Sequence, residues 1–303
     1  MNIAIIGAGH MGRYHAQKFA RLPAVEVTAV VDADLARAQA LGPAAFSDYR
    51  AVFGKADAAV LAVPTDRHHA IARDCLQQGL HLLIEKPIAT TLAEADDLIG
   101  LAAKQHLVLQ CGHVERYNRT FRAMQARMDR AVFIDAERLA GFKRRGAEVD
   151  VVLDLMIHDL DLACALARAE PTDVSACGFR VLTRDIDIAN ARLEFANGCV
   201  ANLSASRVSQ APVRKLRVFQ PDMYVSADLQ GARLRYARET GGAIAETEEV
   251  YEGGDALADQ AAAFAAAVHG EEPVEIDGRE GRRALELAIT VGRLVRERLA
   301  RFE

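Results

Sequence analysis

The stretch that decides the fold is Asn2-Ile3-Ala4-Ile5-Ile6-Gly7-Ala8-Gly9-His10-Met11-Gly12. Its first half is a short, mostly β-branched apolar run, which is typical of a buried strand. Its second half fits the pattern G-x-G-x-x-G and leads into residues with helical spacing. A strand, a glycine-rich turn and a helix in this order predict the start of a dinucleotide-binding βαβ unit.

The three glycines of this pattern have different expected roles. Gly7 permits the tight turn, Gly9 lets the backbone approach a pyrophosphate, and Gly12 lets helix and strand pack closely. The helix N-terminus offers N–H groups and a positive dipole to the phosphates. The next strand ends in Asp32, twenty residues after Gly12, where a carboxylate accepts hydrogen bonds from the adenosine ribose and repels a 2′-phosphate. NAD is therefore expected over NADP, unless Arg37 folds back toward the ribose.

Further strands and helices alternate through the first third of the chain. Strands are predicted over residues 2–6, 25–31, 58–63, 81–84 and 107–111, and helices over residues 11–21, 67–78 and 92–105. Gly79 is the expected stop of the second helix, and Thr91 is the expected N-cap of the third. This order predicts an α/β fold with a doubly wound parallel sheet, a Rossmann domain.

The pattern changes after residue 112. Helices are predicted over residues 118–130, 151–167, 255–269 and 279–301, and a strand over residues 131–136. Between residues 173 and 236 the apolar period falls to two, with turns at Asn197-Gly198 and Pro221-Asp222, which predicts an antiparallel sheet. We expect a Rossmann domain over residues 1–116 and an α+β domain over residues 117–303, with a C-terminal helix that can pack back on the first domain.

Composition and charge exclude several functions. The 303 residues include 37 Lys and Arg against 42 Asp and Glu, so the net charge of −5 leaves no cationic excess for nucleic acid. The five cysteines form no C-x-x-C pair, which indicates reduced thiols and neither a disulfide framework nor a structural zinc site. No apolar run approaches the ~18 residues that span a bilayer. We expect a cytoplasmic protein with no membrane partner.

Two further groups of residues suggest chemistry. Lys86 follows a strand in Glu85-Lys86-Pro87, at the sheet edge where α/β folds bind ligands, and it can polarise a substrate hydroxyl. Asp154 and His158 stand four residues apart in a helix, so that the carboxylate can orient the imidazole as a proton acceptor. The alternatives are a surface lysine, a structural Asp–His pair, or a metal site that adds Asp161. No further spaced His or Cys completes that site, so no metal is expected.

Together these motifs resemble the Gfo/Idh/MocA oxidoreductases, which include glucose-fructose oxidoreductase and inositol dehydrogenase, over essentially the whole chain. The resemblance is carried by the glycine pattern, Asp32, Pro64-Thr65 with His68, Glu85-Lys86-Pro87, and Asp154 with His158. It implies a tightly held nicotinamide cofactor and a C-terminal domain whose large open sheet often forms the oligomer interface. The matched catalytic set is Lys86, Asp154 and His158.

The resemblance also implies which residues bind ligands. The expected cofactor-binding residues are Gly7, Gly9, His10, Met11, Gly12, Asp32, Pro64, Thr65, His68, Glu85, Lys86 and Pro87. The expected substrate-binding residues are Arg116, Tyr117, Asn118, His158 and Arg207. The expected substrate is a small sugar or sugar nucleotide, and the expected assembly is a homodimer or homotetramer formed through the C-terminal sheet.

Within this family, residues 112–118 (Gly-His-Val-Glu-Arg-Tyr-Asn) and 151–162 look most like UDP-N-acetylglucosamine 3-dehydrogenases, which prepare a 3-keto sugar nucleotide for amination on the route to lipid A. One departure is Arg119, where proline commonly follows the Arg-aromatic-Asn motif. Inositol dehydrogenases share a similar stretch, so an enzyme acting on inositol, another polyol or an aldose stays open. A non-catalytic dinucleotide-binding regulator is the other alternative, although a pure sensor has no need for an acid–base pair.

Overall fold

The computed structural model describes residues 1–42, 44–142 and 149–301. The chain forms two compact units, of which the first comprises Met1–Val114 and Asp255–Leu285. The second comprises Glu115–Gly254 and Glu286–Glu303. The first change of unit, after Val114, lies close to the boundary expected at residue 116, and residues 255–285 belong to the first unit.

The first unit is built on a six-stranded parallel sheet. Its strands are β1 (Asn2–Ile6), β2 (Glu26–Val31), β3 (Ala45–Phe46), β4 (Ala58–Leu61), β5 (His81–Glu85) and β6 (Leu109–Gly112). Their order across the sheet is β3-β2-β1-β4-β5-β6, so the sheet grows in opposite directions from β1 and β4. Ligands bind beyond the carboxyl ends of the strands at such a switch point. The predicted doubly wound sheet is confirmed.

Helix ends follow the capping signals of the sequence. The helices of the described chain are α1 (His10–Phe19), α2 (Leu35–Gln39), α3 (His68–Gln77), α4 (Leu92–Lys104), α5 (Arg119–Arg127), α6 (Ile157–Ala167), α7 (Ala256–His269) and α8 (Gly278–Leu299). Thr91 and Glu94 form a capping box at the start of α4, and Gly79 follows α3 at φ +80°. The predicted helices over residues 67–78 and 92–105 are confirmed to within a residue at each end.

Residues 255–285 return to the first unit because α7 packs against α1. Phe264 of α7 meets Phe19 of α1 edge to face, with 6.1 Å between the ring centroids. The carboxylate of Asp255, the N-cap of α7, lies 2.6 Å from the Lys18 amine. Both aromatic rings are fully buried, so this contact contributes hydrophobic stabilisation as well as charge pairing.

The second unit is built on an eight-stranded sheet. Its strands are β7 (Phe133–Leu139), β8 (Pro171–Phe179), β9 (Ile188–Phe195), β10 (Val200–Ser206), β11 (Val213–Gln220), β12 (Met223–Asp228), β13 (Arg233–Thr240) and β14 (Ala243–Val250). The order is β14-β13-β12-β11-β7-β10-β9-β8, and every neighbouring pair is antiparallel except β7 and β10. The predicted large, mostly antiparallel sheet is confirmed.

The period of two in the sequence marks the covered face of this sheet. The alternate residues Ala189, Ala191, Leu193 and Phe195 of β9 are buried, whereas those between them are exposed. Helices α5 and α6 pack on this covered face. Strand β14 was missed because almost all of its side chains are exposed, so no apolar period marks it.

The three elements predicted between residues 118 and 167 differ from the structure. The predicted helix over residues 151–167 begins with a π-helical turn, Val152–Met156, before α6, where the N–H of Ile157 donates to the carbonyl of Val152. The predicted helix over residues 118–130 ends at Arg127, because Met128 adopts an extended conformation. The strand predicted over residues 131–136 is β7, which starts and ends later.

Candidate functional site

The glycine loop after β1 has the geometry expected of a phosphate-binding turn. Gly7 has φ +100°, and a Cβ there would lie 2.5 Å from the carbonyl oxygen of Ala62. A Cβ on Gly12 would lie 1.7 Å from the carbonyl oxygen of Gly7, so only glycine allows this turn to close. A Cβ on Gly9 would meet nothing within 4 Å, so the backbone at this position faces open space. The predicted differences among the three glycines match this geometry.

The N-terminus of α1 opens directly from this loop. Gly9 is the N-cap and supplies no side-chain hydrogen bond to the first turn, and no acidic residue lies in that turn. His10 is exposed and packs edge to face on Tyr14, with 4.8 Å between ring centroids, and Met11 is half-buried. Backbone N–H groups of a helix start with positive dipole suit a pyrophosphate.

Asp32 lies directly after β2 and is held by the backbone. Its two carboxylate oxygens accept from the N–H of Ala8 at 2.8 Å and from the N–H of Asp34 at 2.9 Å. Each carboxylate oxygen has two lone pairs, so both can accept a second hydrogen bond from a ribose hydroxyl. The Arg37 side chain is 65% exposed and pairs with Asp34 at 3.3 Å.

His68 is buried and contacts the segments that follow two neighbouring strands, β4 and β5. Its Nδ1 lies 2.9 Å from the carbonyl oxygen of Pro87, and its Nε2 lies 3.0 Å from the carbonyl oxygen of Val63. Burial lowers the pKa of His68, although both carbonyl contacts oppose the change. The ring is almost fully buried, whereas Thr65 is half-buried and Pro64 is exposed. His68 therefore orders the segment that carries these two residues.

Glu85, Lys86 and Pro87 form the carboxyl end of β5 and the turn that follows. Glu85 and Pro87 are buried, and Lys86 is half-buried. The peptide bond between Lys86 and Pro87 is cis. Burial raises the pKa of Glu85, but the hydrogen bond and charge of His15 and the charge of Lys86 outweigh it, so the pKa lies below its ordinary value. An ionised carboxylate and an amine therefore stand side by side at this strand end.

Asp154 and His158 lie in the second unit, where the π-helical turn passes into α6. Asp154 is in the π-helical turn and His158 is in the first turn of α6, and both are half-buried. Upstream, Asp150 accepts from the N–H groups of Val152 and Leu153 at 3.1 and 3.0 Å and so caps this start. π-helical turns are frequent at functional sites. The proposed base and its orienting carboxylate share a segment, while Lys86 belongs to the first unit.

A buried ionic cluster fixes α6 beside His158. Arg138 of β7 donates to both oxygens of Asp159 at 2.9 and 2.8 Å and to Glu115 at 2.8 Å. Arg214 also donates to Glu115, at 3.2 Å. Bidentate pairing of this kind has strong geometric specificity. The register of the helix that carries His158 is therefore tied to the sheet.

The cluster also perturbs the ionisation of its members. Burial raises the pKa of Glu115, but the charge of Arg138 outweighs burial, and the pKa is lowered. Burial raises the pKa of Asp159, and Arg138 opposes the rise. Burial acts to lower the pKa of Arg138, but the two carboxylates reverse this and raise it. Sequence reasoning missed this cluster, although a charged residue at an inward position of β7 was a usable signal.

Residues 116–118, expected to contact substrate, have partners inside the second unit. Arg116 is 8% exposed and pairs with Asp161 at 3.3 Å, and Tyr117 is fully buried. Asn118 accepts from the N–H of Thr120 at 3.0 Å, so it is the N-cap of α5. In this way α5 begins at Arg119 with a side-chain cap, although the sequence has no proline there.

Arg207 was also expected to contact substrate. Its guanidinium is buried and donates to the carbonyl oxygen of Val149. Of the predicted substrate residues, only His158 is half-buried in a helix with a carboxylate nearby in the chain. Within residues 1–42, 44–142 and 149–301, no group of three His, Cys, Asp or Glu is placed to hold a metal ion. No helix in the same ranges is long and apolar enough to cross a membrane.

Comparison with known proteins covers both units. The family model "Oxidoreductase family, NAD-binding Rossmann fold" matches residues 1–113, and the model "GFO/IDH/MocA C-terminal domain" matches residues 120–222. The chain is 39% identical over 302 residues to UDP-N-acetylglucosamine 3-dehydrogenase of Acidithiobacillus ferrooxidans, covering 96% of each chain. A solved structure of that enzyme matches with a TM-score of 0.92 over 97% of both chains.

Inositol dehydrogenases are more distant relatives. The chain is 27% identical over 230 residues to scyllo-inositol 2-dehydrogenase (NAD(+)) of Bacillus subtilis, covering 68% of this chain and 67% of that one. The structure of scyllo-inositol dehydrogenase from Lactobacillus casei, solved with NAD(H) and scyllo-inositol, has a TM-score of 0.84 at 17% identity and covers 98% of this chain and 97% of that one. At that identity the likeness shows a common fold.

Proposed function

The chain belongs to the Gfo/Idh/MocA family of NAD-binding oxidoreductases, and on that premise we propose that it oxidises the 3-hydroxyl of UDP-N-acetylglucosamine to a ketone with NAD as hydride acceptor. The observation that carries the proposal is the 39% identity to a UDP-N-acetylglucosamine 3-dehydrogenase across 96% of both chains. Similarity of that extent covers the second unit, which is expected to select the substrate, as well as the dinucleotide-binding unit.

The residues after β1 and β2 fit a dinucleotide. The open space at Gly9 and the uncapped start of α1 suit a pyrophosphate, and the fixed carboxylate of Asp32 suits two ribose hydroxyls. A 2′-phosphate would meet the negative charge of Asp32, and Arg37 is engaged with Asp34. We therefore expect NAD to bind more tightly than NADP, and Asp32→Ala to narrow the difference. Calorimetric titration of both cofactors checks this, and a preference of the wild type for NADP would contradict it.

The proposed chemistry uses three side chains. NAD, when bound, supplies the acceptor for the hydride that leaves C3. His158, oriented by Asp154, takes the proton of the 3-hydroxyl as the C3–O bond becomes a carbonyl. Lys86 donates a hydrogen bond to the same oxygen and so stabilises the charge that develops there. General base catalysis of this kind contributes ~10²–10⁴ in rate.

One experiment tests the reaction and its substrate. The purified protein is incubated with NAD and a panel of UDP-sugars, free sugars and inositols, and the absorbance of the reduced cofactor is followed. We expect turnover with UDP-N-acetylglucosamine, and mass spectrometry of the product trapped by an amino-transferring enzyme should show oxidation at C3. Turnover of myo-inositol without turnover of UDP-sugars would favour a polyol dehydrogenase. NAD binding without any turnover would favour a non-catalytic regulator.

The proposed reaction has a place in the cell. A 3-keto sugar nucleotide is a substrate for amination, so the product would serve as a precursor of 3-amino lipid A or another surface polysaccharide. No disulfide links the cysteines of the described chain, which suits a reducing cytoplasm.

We propose that the second unit's sheet also forms a homodimer or homotetramer. On its open face, Phe219 is 39% exposed and lies 5.7 Å from Phe133 and 4.9 Å from Tyr224 between ring centroids. An aromatic cluster on an open sheet face favours protein contact. Light scattering of the eluting protein measures the assembly, and a monomeric mass would contradict the proposal.

A further inference from the structure

The residue that precedes Lys86 in the chain carries a buried carboxylate in contact with a histidine. Nε2 of His15, in α1, lies 2.7 Å from Oε1 of Glu85, the last residue of β5. The His15 side chain is fully buried and Glu85 is 9% exposed. The pair links the helix proposed to hold the pyrophosphate to the strand end that carries the proposed catalytic amine. No other part of the proposed mechanism uses His15.

The neighbouring strand makes room for this pair. Gly112 of β6 stands opposite Glu85 in the sheet register. A Cβ at Gly112 would lie 2.9 Å from the Cα of Glu85 and 3.2 Å from its Cδ. The Glu85 side chain therefore packs over a position that has no side chain, while His15 holds its carboxylate. Two independent contacts fix one buried carboxylate.

A buried carboxylate needs compensating charge and hydrogen bonds. The titratable groups that act on Glu85 are His15 from α1, Lys86 from the turn after β5 and His68 from α3, and together they hold its pKa below the ordinary value against the effect of burial. Attraction between an ionised Glu85 and Lys86 is reciprocal, so the same carboxylate favours the protonated amine.

We propose that His15 is a positioning residue for Lys86: its hydrogen bond fixes the Glu85 carboxylate, which holds the adjacent amine in place as its protonated partner. In this arrangement Lys86 donates to the substrate oxygen and leaves proton abstraction to His158. The inference rests on the proposed function for the role of Lys86 in turnover, but the contacts between His15 and Glu85 do not depend on it.

The test measures the reactivity of the Lys86 amine directly, in full-length protein without cofactor. Wild type, Glu85→Gln, His15→Leu and His15→Gln are labelled with trace acetic anhydride between about pH 7 and 10, a range that approaches the ordinary ionisation of lysine. Peptide mass spectrometry then gives the labelling rate of Lys86 relative to exposed Lys104 of the same sample. Only a deprotonated amine reacts, so the pH dependence of the ratio reports the protonation of Lys86, and its limiting value at high pH reports the accessibility of the amine.

We expect Glu85→Gln and His15→Leu to raise this ratio about 3- to 10-fold, since one pKa unit changes the deprotonated fraction tenfold. Glutamine can place an amide N–H close to the position of imidazole Nε2, so His15→Gln should stay within about 2-fold of wild type. An unchanged ratio in Glu85→Gln overturns the proposal even if His15→Leu does not fold. A ratio in His15→Gln as high as in His15→Leu overturns the part assigned to the hydrogen bond.

Kinetics supply the second readout. We expect His15→Leu to lower kcat about 10-fold with little change in the KM for NAD, and His15→Gln to restore most of the loss. A rise in the KM for NAD with kcat unchanged would instead mean that His15 only supports the nucleotide helix. If the wild type oxidises no sugar, the proposed function fails, whereas the labelling ratios still decide whether His15 and Glu85 control the Lys86 amine.

Discussion

Each unit has a buried acidic residue that is next in the chain to a residue proposed for catalysis. The two acidic residues are held by different basic side chains. Glu85 pairs with the imidazole of His15. Asp159 pairs in bidentate fashion with Arg138, which stays charged at every pH at which a protein is folded. In our proposal the first arrangement controls the charge of its neighbour, Lys86, whereas the second sets the position of its neighbour, His158.

The largest expected effect concerns the two residues proposed for catalysis, His158 and Lys86. His158→Asn and Lys86→Met should each lower kcat by ~10²–10⁴ and leave the Kd for NAD nearly unchanged. Because an imidazole base must be neutral, wild-type turnover should be lost at acid pH, and this limb should vanish in His158→Asn. Pre-steady-state kinetics and NAD titrations measure both quantities. If the limb lies at alkaline pH and survives in His158→Asn, Lys86 is the base.

The next largest expected effect is a loss of stability when the buried ionic cluster around Arg138 is broken. Arg138→Met should destabilise the second unit by about 3–5 kcal/mol, because it leaves Asp159 buried without its cation and Glu115 with Arg214 alone. The matched control is Arg235→Met, which removes a 67% exposed guanidinium from its pair with Glu248 and should cost at most about 1 kcal/mol. Calorimetric unfolding compares the two. Equal losses would mean that burial adds nothing to the pairing of Arg138.

The pH dependence of stability should report on a buried histidine of the first unit. Burial lowers the pKa of His68, so the unfolded chain takes up a proton more readily than the folded protein. Stability should therefore be complete above about pH 6.5 and fall as the pH drops below it, by at most ~1.4 kcal/mol per pH unit. His68→Gln should flatten this slope, whereas His69→Gln, at a surface pair with Asp97, serves as the control. Thermal unfolding between about pH 7 and 5 measures it; identical slopes in wild type and His68→Gln would contradict the assignment.

The smallest expected effect concerns the N-cap of α5. Asn118 caps α5 and donates to the carbonyl oxygen of Leu229 at 3.1 Å. Asn118→Ala should cost about 1 kcal/mol of stability, and Asn118→Asp should recover the capping part of it. If Asn118 has only this structural role, the KM for UDP-N-acetylglucosamine stays unchanged. A rise in KM in the folded Asn118→Asp variant would support the substrate contact expected from the sequence.

Local signals made the first unit predictable. Gly7 and Gly12 act through the tight turn of the backbone, and Asp32 follows β2 at the spacing expected of the glycine pattern, so spacing alone was enough to place them. The capping box at Thr91 has the same character. The period of two predicted strands such as β9, because one face of that strand is buried.

Contacts between residues that are distant in the chain could not be predicted from the sequence. Arg138 and Asp159 are twenty-one residues apart and meet only because β7 and α6 pack together. His15 and Glu85 are seventy residues apart, and each alone reads as an ordinary polar residue. The π-helical turn was also missed, because the apolar run that contains it fits an uninterrupted α-helix equally well.

That π-helical turn has a consequence for changes in chain length. A turn closed by the bond from Ile157 to Val152 contains one residue more than an α-helical turn. Deleting a single residue from Val152–Met156 would restore regular α-helix and rotate everything upstream by about 100° relative to His158. The cap at Asp150 and the orientation of Asp154 would both change, although no side chain in α6 had been substituted. In a library of variants, insertions and deletions in this segment would therefore be selected against more strongly than most substitutions.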